Sequence, residues 1–143
     1  MRFWDSSALL PLVVEEERSV ACRSLHRADR VTVVWVLTRT ELTSAVRRLG
    51  RETKLVKAEV PLVLRRIERL AKSWTEVDAV GLVRDRAERL LGAHTLTAAD
   101  ALQLGAALVL VRDRPKGKVF VCADDRLILA AEAEGFDVVV PSG

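Results

Sequence analysis

An α/β fold, a three-layer α/β/α sandwich around a mainly parallel sheet, is predicted by three features of the sequence. Short β-branched apolar runs such as "RVTVVWV" (30 to 36) and "KVFVCA" (118 to 123) alternate with helical stretches. These runs are apolar on both alternating faces, as strands are when helices cover both sides of a sheet. No repeat, linker or low-complexity segment divides the 143 residues. One domain over 1–143 is therefore expected, large enough to remove roughly 70% of its unfolded surface from water.

The elements follow in order. Arg2 to Asp5 reads as a short strand, with Ser6 and Ser7 as candidate caps of a helix that begins near Ala8 and meets a possible break between Pro11 and Val14. A second helix covers Ser19 to Arg27, and the strand 30 to 36 follows. Thr38 to Leu49 reads as a helix closed by Gly50. Glu52 to about Ser73 is also helical, but Pro61 leaves two choices, a kink or two shorter helices. "WTEVD" (74 to 78) carries a weak strand signal before a helix from Ala79 to Leu91 that Gly92 would stop. Thr97 opens the helix "AADALQLGAALVLVRD". A turn over 114 to 117 leads to the strand "KVFVCA", a helix from Asp124 to Glu134 ended by Gly135, and a last strand "FDVVV".

Composition narrows the class. Half the residues are hydrophobic and 30% are charged, the balance of a soluble globular chain. The apolar run "LGAALVLV" is far shorter than the roughly 20 residues that cross a bilayer, and the early acids exclude a secretory signal, so no membrane association and a cytoplasmic location are expected. Cys22 and Cys122 lack metal or redox spacing and read as buried hydrophobes. The net charge of +3 permits a phosphate-bearing partner without requiring one. Basic clusters, Arg47, Arg48, Arg51 and Lys54 or Arg65, Arg66 and Arg69, read as solvated helix faces.

Four acids stand out by placement. In an open parallel sheet, ligands bind at the carboxyl ends of the strands. Asp5 and Asp124 follow strands directly, while Glu41 in "TRTEL" and Asp100 in "TAAD" lie in the first turns of helices. Taken singly, each is explained by capping: Thr38-x-x-Glu41 and Thr97-x-x-Asp100 fit a capping box, and acids favour helix N-termini. Taken together they are not. At about 4 Å and an effective dielectric near 20, each like-charge pair costs roughly 4 kcal/mol. Protonation, a nearby arginine or a bound divalent cation offsets such a cost, and oxygen-only donors favour magnesium or manganese over zinc.

With "FWDSSALL", "TELTSA", "TAADALQLGAAL" and "VFVCADDRLILAA" in this order, nearly the whole chain resembles the PIN-domain nucleases, in particular the VapC-type toxins of toxin-antitoxin pairs. The resemblance implies an acidic site made of Asp5, Glu41, Asp100 and Asp124. Asp5, Asp100 and Asp124 are its metal ligands by this reading, Asp5 and Asp100 foremost. Glu41 and Asp124 would bind a cation directly, through water, or orient the attacking water. Asp124 fits better than Asp125, because the family often ends this strand in Thr-x-Asp. Cys122 departs from that pattern and puts one supporting hydrogen bond in doubt, while Ser6 or Ser7 is a candidate to supply another.

The activity implied is Mg2+-dependent (or Mn2+-dependent) endonucleolytic cleavage of RNA. The implied partners are an RNA substrate, a small antitoxin protein and a second copy in a homodimer. The apolar faces of "ALLPLVV" and of the Leu55 to Leu70 region are candidates for an antitoxin groove, and core packing explains the same residues. His26 and His94 stand alone, and no GxGxxG, Walker A or GxSxG sequence offers rival chemistry. Two alternatives remain. One is a catalytically silent regulatory domain with a receiver-like acidic pocket, although Asp124-Asp125-Arg126 stands where a receiver needs a lysine. The other keeps the nuclease fold but assigns RNA processing or DNA cleavage.

Overall fold

The structure is a computed structural model that describes residues 1–142. Five strands, β1 (Arg2–Trp4), β2 (Thr32–Trp35), β3 (Thr75–Val77), β4 (Val119–Val121) and β5 (Asp137–Val139), form one sheet in the order β3-β2-β1-β4-β5, and every neighbouring pair is parallel. Seven helices surround it: α1 (Ser6–Val13), α2 (Ser19–Ala28), α3 (Thr38–Arg51), α4 (Val60–Ala71), α5 (Val80–Ala93), α6 (Ala98–Leu110) and α7 (Asp125–Glu134). The result is the three-layer α/β/α sandwich with a parallel sheet expected from the sequence.

Strand alternation builds the layers. Phe3, Val33, Trp35 and Phe120 point to one face and pack against Val83 and Leu90 of α5, Leu104 of α6 and Leu127 of α7. Trp4, Val34 and Val121 point to the other, against Leu9 of α1, Leu42 and Val46 of α3, and Val63 and Ile67 of α4. All four residues of β2 are buried, as its two-sided apolar pattern requires. Of the candidate groove residues, Ala8, Leu9, Val13, Leu55, Val60, Val63 and Ile67 lie in this second core, where packing accounts for them, while Val56 and Leu62 remain exposed.

Several boundaries differ from expectation for local reasons. The break expected between Pro11 and Val14 does occur: Pro11 lies in the last turn of α1, the helix ends at Val13 and Val14 is its C-cap. Pro61 marks no kink, and the expected pair of shorter helices is a 3-10 turn over Lys57–Glu59 followed by α4: residues 52 to 56 are not helical, and Pro61 lies in the first turn of α4, where its missing N–H costs nothing. Gly50 and Gly92 stop nothing, since α3 runs to Arg51 and α5 to Ala93. Gly135 does end α7, in the left-handed conformation with φ 107°. No single helix among the described residues is long and apolar enough to cross a membrane.

The strand order reverses between β1 and β4. After β1 the chain turns to α1 on one face, and after β4 to α7 on the other. Such a reversal opens a crevice at the carboxyl edge of the sheet, and Asp5 and Asp124 are the residues that end these two connections.

Candidate acidic active site

Asp5 is 2% exposed and has two tasks. It is the N-cap of α1, where its Oδ2 accepts from Ser7 N at 3.0 Å, and the same oxygen accepts from the Ser7 hydroxyl. The expected caps, Ser6 and Ser7, are thus within the helix and serve carboxylates instead. Ser6 Oγ donates to Glu41 Oε2 at 3.2 Å. Ser7 Oγ in turn accepts from Ala123 N at 2.9 Å, tying the first turn of α1 to the end of β4. Cys122 does retain a weak link to the site: its Sγ lies 3.7 Å from Asp5 Oδ2. Burial pushes its thiol well above the usual range, so it stays a neutral donor.

Glu41 does not cap α3. The N-cap is Leu37, and Thr38, fully buried, accepts a bond from the side chain of Gln103 instead. That same Gln103 Nε2 donates to Glu41 Oε1 at 2.9 Å, leaving its own Oε1 buried without a partner. Sequence reasoning missed Gln103. A signal existed, because Gln103 follows Asp100 by three residues in a helix and so shares its face, yet it stands in an otherwise apolar run.

Asp100 lies in the first turn of α6, where its backbone N–H donates to Thr97 Oγ1 at 3.2 Å. Half of the expected capping box is therefore present. Asp124 caps α7 by accepting from Leu127 N at 3.0 Å, and its other oxygen makes no hydrogen bond among the described residues. Neighbouring Asp125 is exposed and lies outside the cleft.

All four acids line one cleft of about 690 Å3. Burial pushes the Asp5 carboxyl up to about 6, and the charges of Asp100 and Asp124 add to this against the opposing Ser7 bonds. Burial likewise pushes Glu41 up to about 7, with Asp5 and Asp100 adding, while bonds from Gln103 and Ser6 pull it down. Asp100 is raised by burial and then by Asp124, with Thr97 and Arg126 opposing. No arginine or lysine forms an ion pair with any of the four among the described residues. Negative charge is therefore concentrated without an ion-paired cation among the described residues.

The residues fit a divalent cation. Every donor is a carboxylate or hydroxyl oxygen, the set preferred by magnesium and manganese, and a cation would offset both the burial of these carboxylates and their mutual repulsion. The acids share a cleft rather than a point: among the described residues no three acid, histidine or cysteine side chains form a ready-made coordination group. Neither histidine belongs to the cleft. His94 bonds Glu134 Oε2 at 2.7 Å between α5 and α7, and His26 packs edge-on against Trp4.

No protein-family model and no curated protein matches the chain by sequence. Solved structures do match it in shape. A chain of a toxin-antitoxin complex from Klebsiella pneumoniae aligns over 99% of this chain and 98% of its own, with TM-score 0.68 and 14% identity. The chain shares its fold. A chain from the structure of FitAB bound to an IR36 DNA fragment aligns over 99% and 95%, with TM-score 0.58 and 19% identity. Both alignments span the whole fold described above, including every element that contributes an acid to the cleft.

Proposed function

We propose that the protein is a PIN-domain nuclease of the VapC type, one domain over 1–143, acting as the toxin of a toxin-antitoxin pair and cutting RNA internally with Mg2+ or Mn2+. The observation that carries this reading is the convergence of Asp5, Glu41, Asp100 and Asp124 on one cleft at the strand-order reversal, with Asp5 and Glu41 raised by burial and by the neighbouring acids. A likeness in fold to a chain of a toxin-antitoxin complex and to a chain of FitAB bound to a DNA fragment supports it.

Asp5, Asp100 and Asp124 are the carboxylates that would hold the ion. When bound, a divalent cation lowers the pKa of a water and stabilises charge on the phosphoryl oxygens. Glu41, anchored by Ser6 and Gln103, would position a water in the cleft and accept its proton. Ser7 fixes the Asp5 carboxylate, and the helix starts of α1, α6 and α7 hold three of the acids on rigid elements. The restraining partner is a small antitoxin, the working form a homodimer and the compartment the cytoplasm. A receiver-like module is less well supported, because the cations at the cleft are Arg18 and Arg48 and no lysine lines it among the described residues.

The test is cleavage of a mixed RNA pool by antitoxin-free protein with Mg2+ or Mn2+, beside EDTA and Asp100→Asn. The expected result is cutting with metal that is lost with EDTA and falls by at least about 100-fold in the variant, the loss of roughly 3 kcal/mol of transition-state stabilisation. Equal behaviour of wild type and variant on every RNA would refute the assignment.

A further inference from the structure

An acidic cleft repels the polyanion it is to cut. A cation at its centre neutralises one phosphate, and the flanking phosphates need positive charge from the protein itself. The cleft has such a group on α3. Glu41, Ser44 and Arg48 all line it, so Arg48 stands on the same face as Glu41, two helical turns or roughly 10 Å further along. Arg51 follows one turn later and shares this face. Arg51 and Lys57 then line a second depression of about 540 Å3.

Charge is unusually dense on this segment. Residues 47 to 57 hold five cations, Arg47, Arg48, Arg51, Lys54 and Lys57, against the single acid Glu52, with Glu59 just beyond. The segment's net charge of +4 exceeds the +3 of the whole chain. Among the described residues only Lys54 has an acidic partner, Glu52 at 3.3 Å. Arg47, Arg48, Arg51 and Lys57 are exposed. Stabilising the carboxyl end of α3 accounts for Arg48 and Arg51 in its last turn, but not for Lys54 and Lys57 beyond it. The cluster at Arg65, Arg66 and Arg69 differs: Arg66 is engaged with Val13 O at 3.1 Å, and none of the three lines the cleft.

We propose that Arg48, Arg51 and Lys57 form a phosphate track that carries the flank of a single-stranded RNA from the acidic cleft along α3. This rests on the nuclease reading above and adds the substrate's path to it. The track binds backbone phosphates and so sets affinity and register without reading bases.

The experiment measures binding of a fluorescent single-stranded RNA oligonucleotide to full-length Asp100→Asn protein with Mg2+, from 50 to 200 mM salt, by anisotropy. Each lost phosphate contact should lower the slope of log K against log salt by about 0.7 for a single strand. Arg48→Ala/Arg51→Ala is expected to lower it by about 1.4, while Arg65→Ala/Arg69→Ala, an equal loss of charge on α4, leaves it unchanged. In the wild-type background the first pair should raise KM with kcat retained. Unchanged slope and KM in protein that binds and cuts RNA would overturn the track alone. So would loss of a copurifying protein without change in the RNA slope, which would assign the face to a protein partner. Wild-type protein that neither binds nor cuts RNA would instead refute the nuclease reading, and the track with it.

Discussion

Asp5 ends a strand, caps a helix and lines the cleft with one carboxylate, so its surroundings must support the charge and resist it at once. Ser7 supports it through two bonds, while burial and the neighbouring acids resist it. Asp5 at about 6 and Glu41 at about 7 hold protons that the unfolded chain releases near pH 4. The folded state thus binds more protons between about pH 4 and 7, and its stability falls as pH rises through that window. Metal-free protein should lose on the order of 3 kcal/mol between pH 4.5 and 8, less in Glu41→Gln, and Mg2+ should raise Tm most at the upper end. Thermal melts across pH check this, and a Tm that rises toward pH 8 without metal would count against it. Gln103 is the second residue whose role is local: Gln103→Met removes the donor that orients Glu41. Metal-dependent RNA cleavage should fall about 10- to 100-fold with the fold retained, as read by kcat and circular dichroism.

Among the elements, α5 and α6 depend on close approach. A Cβ on Gly105 would lie 2.9 Å from Val83 O and 3.2 Å from Ala87 N, both backbone atoms that cannot turn away. Gly105→Ala should cost about 1 to 3 kcal/mol in urea unfolding, whereas Gly92→Ala, with open space around it in the same helical pair, should gain up to about 1 kcal/mol. The same pair shows what could be read from sequence. Gly135 signals a stop and has the left-handed φ that makes the signal physical; Gly50 and Gly92 carry the same letter in ordinary helical conformation. After α3 the left-handed residue is Thr53, with φ 56°, which no propensity would nominate. Thr38-x-x-Glu41 fits a capping box by spacing, but a buried glutamine 65 residues away claims Thr38. Strands β1, β2 and β4 were legible because their apolar pattern comes from burial between layers. The weak β3 is an edge strand, with Thr75 and Glu76 exposed, so burial leaves little mark on its sequence.

At the scale of the whole molecule, the parallel sheet and its strand-order reversal bring residues 5, 41, 100 and 124 to one edge. Sequence placed each acid after a strand or at a helix start, and the topology does the rest. What it left hidden was support that crosses between elements: Ser7 to the end of β4, Ser6 and Gln103 to Glu41. Such contacts have no local signature. The central claim is that Asp5, Asp100 and Asp124 act together as one cation site, which makes titration of metal-free protein with Mn2+ the most direct measurement. Asp5→Asn and Asp124→Asn keep competent caps, so their folds should survive. The account predicts Mn2+ binding by wild type that weakens by at least about tenfold in Asp5→Asn, Asp100→Asn and Asp124→Asn alike. Wild-type protein that binds no Mn2+, or variants that bind it as tightly as wild type, would contradict the account.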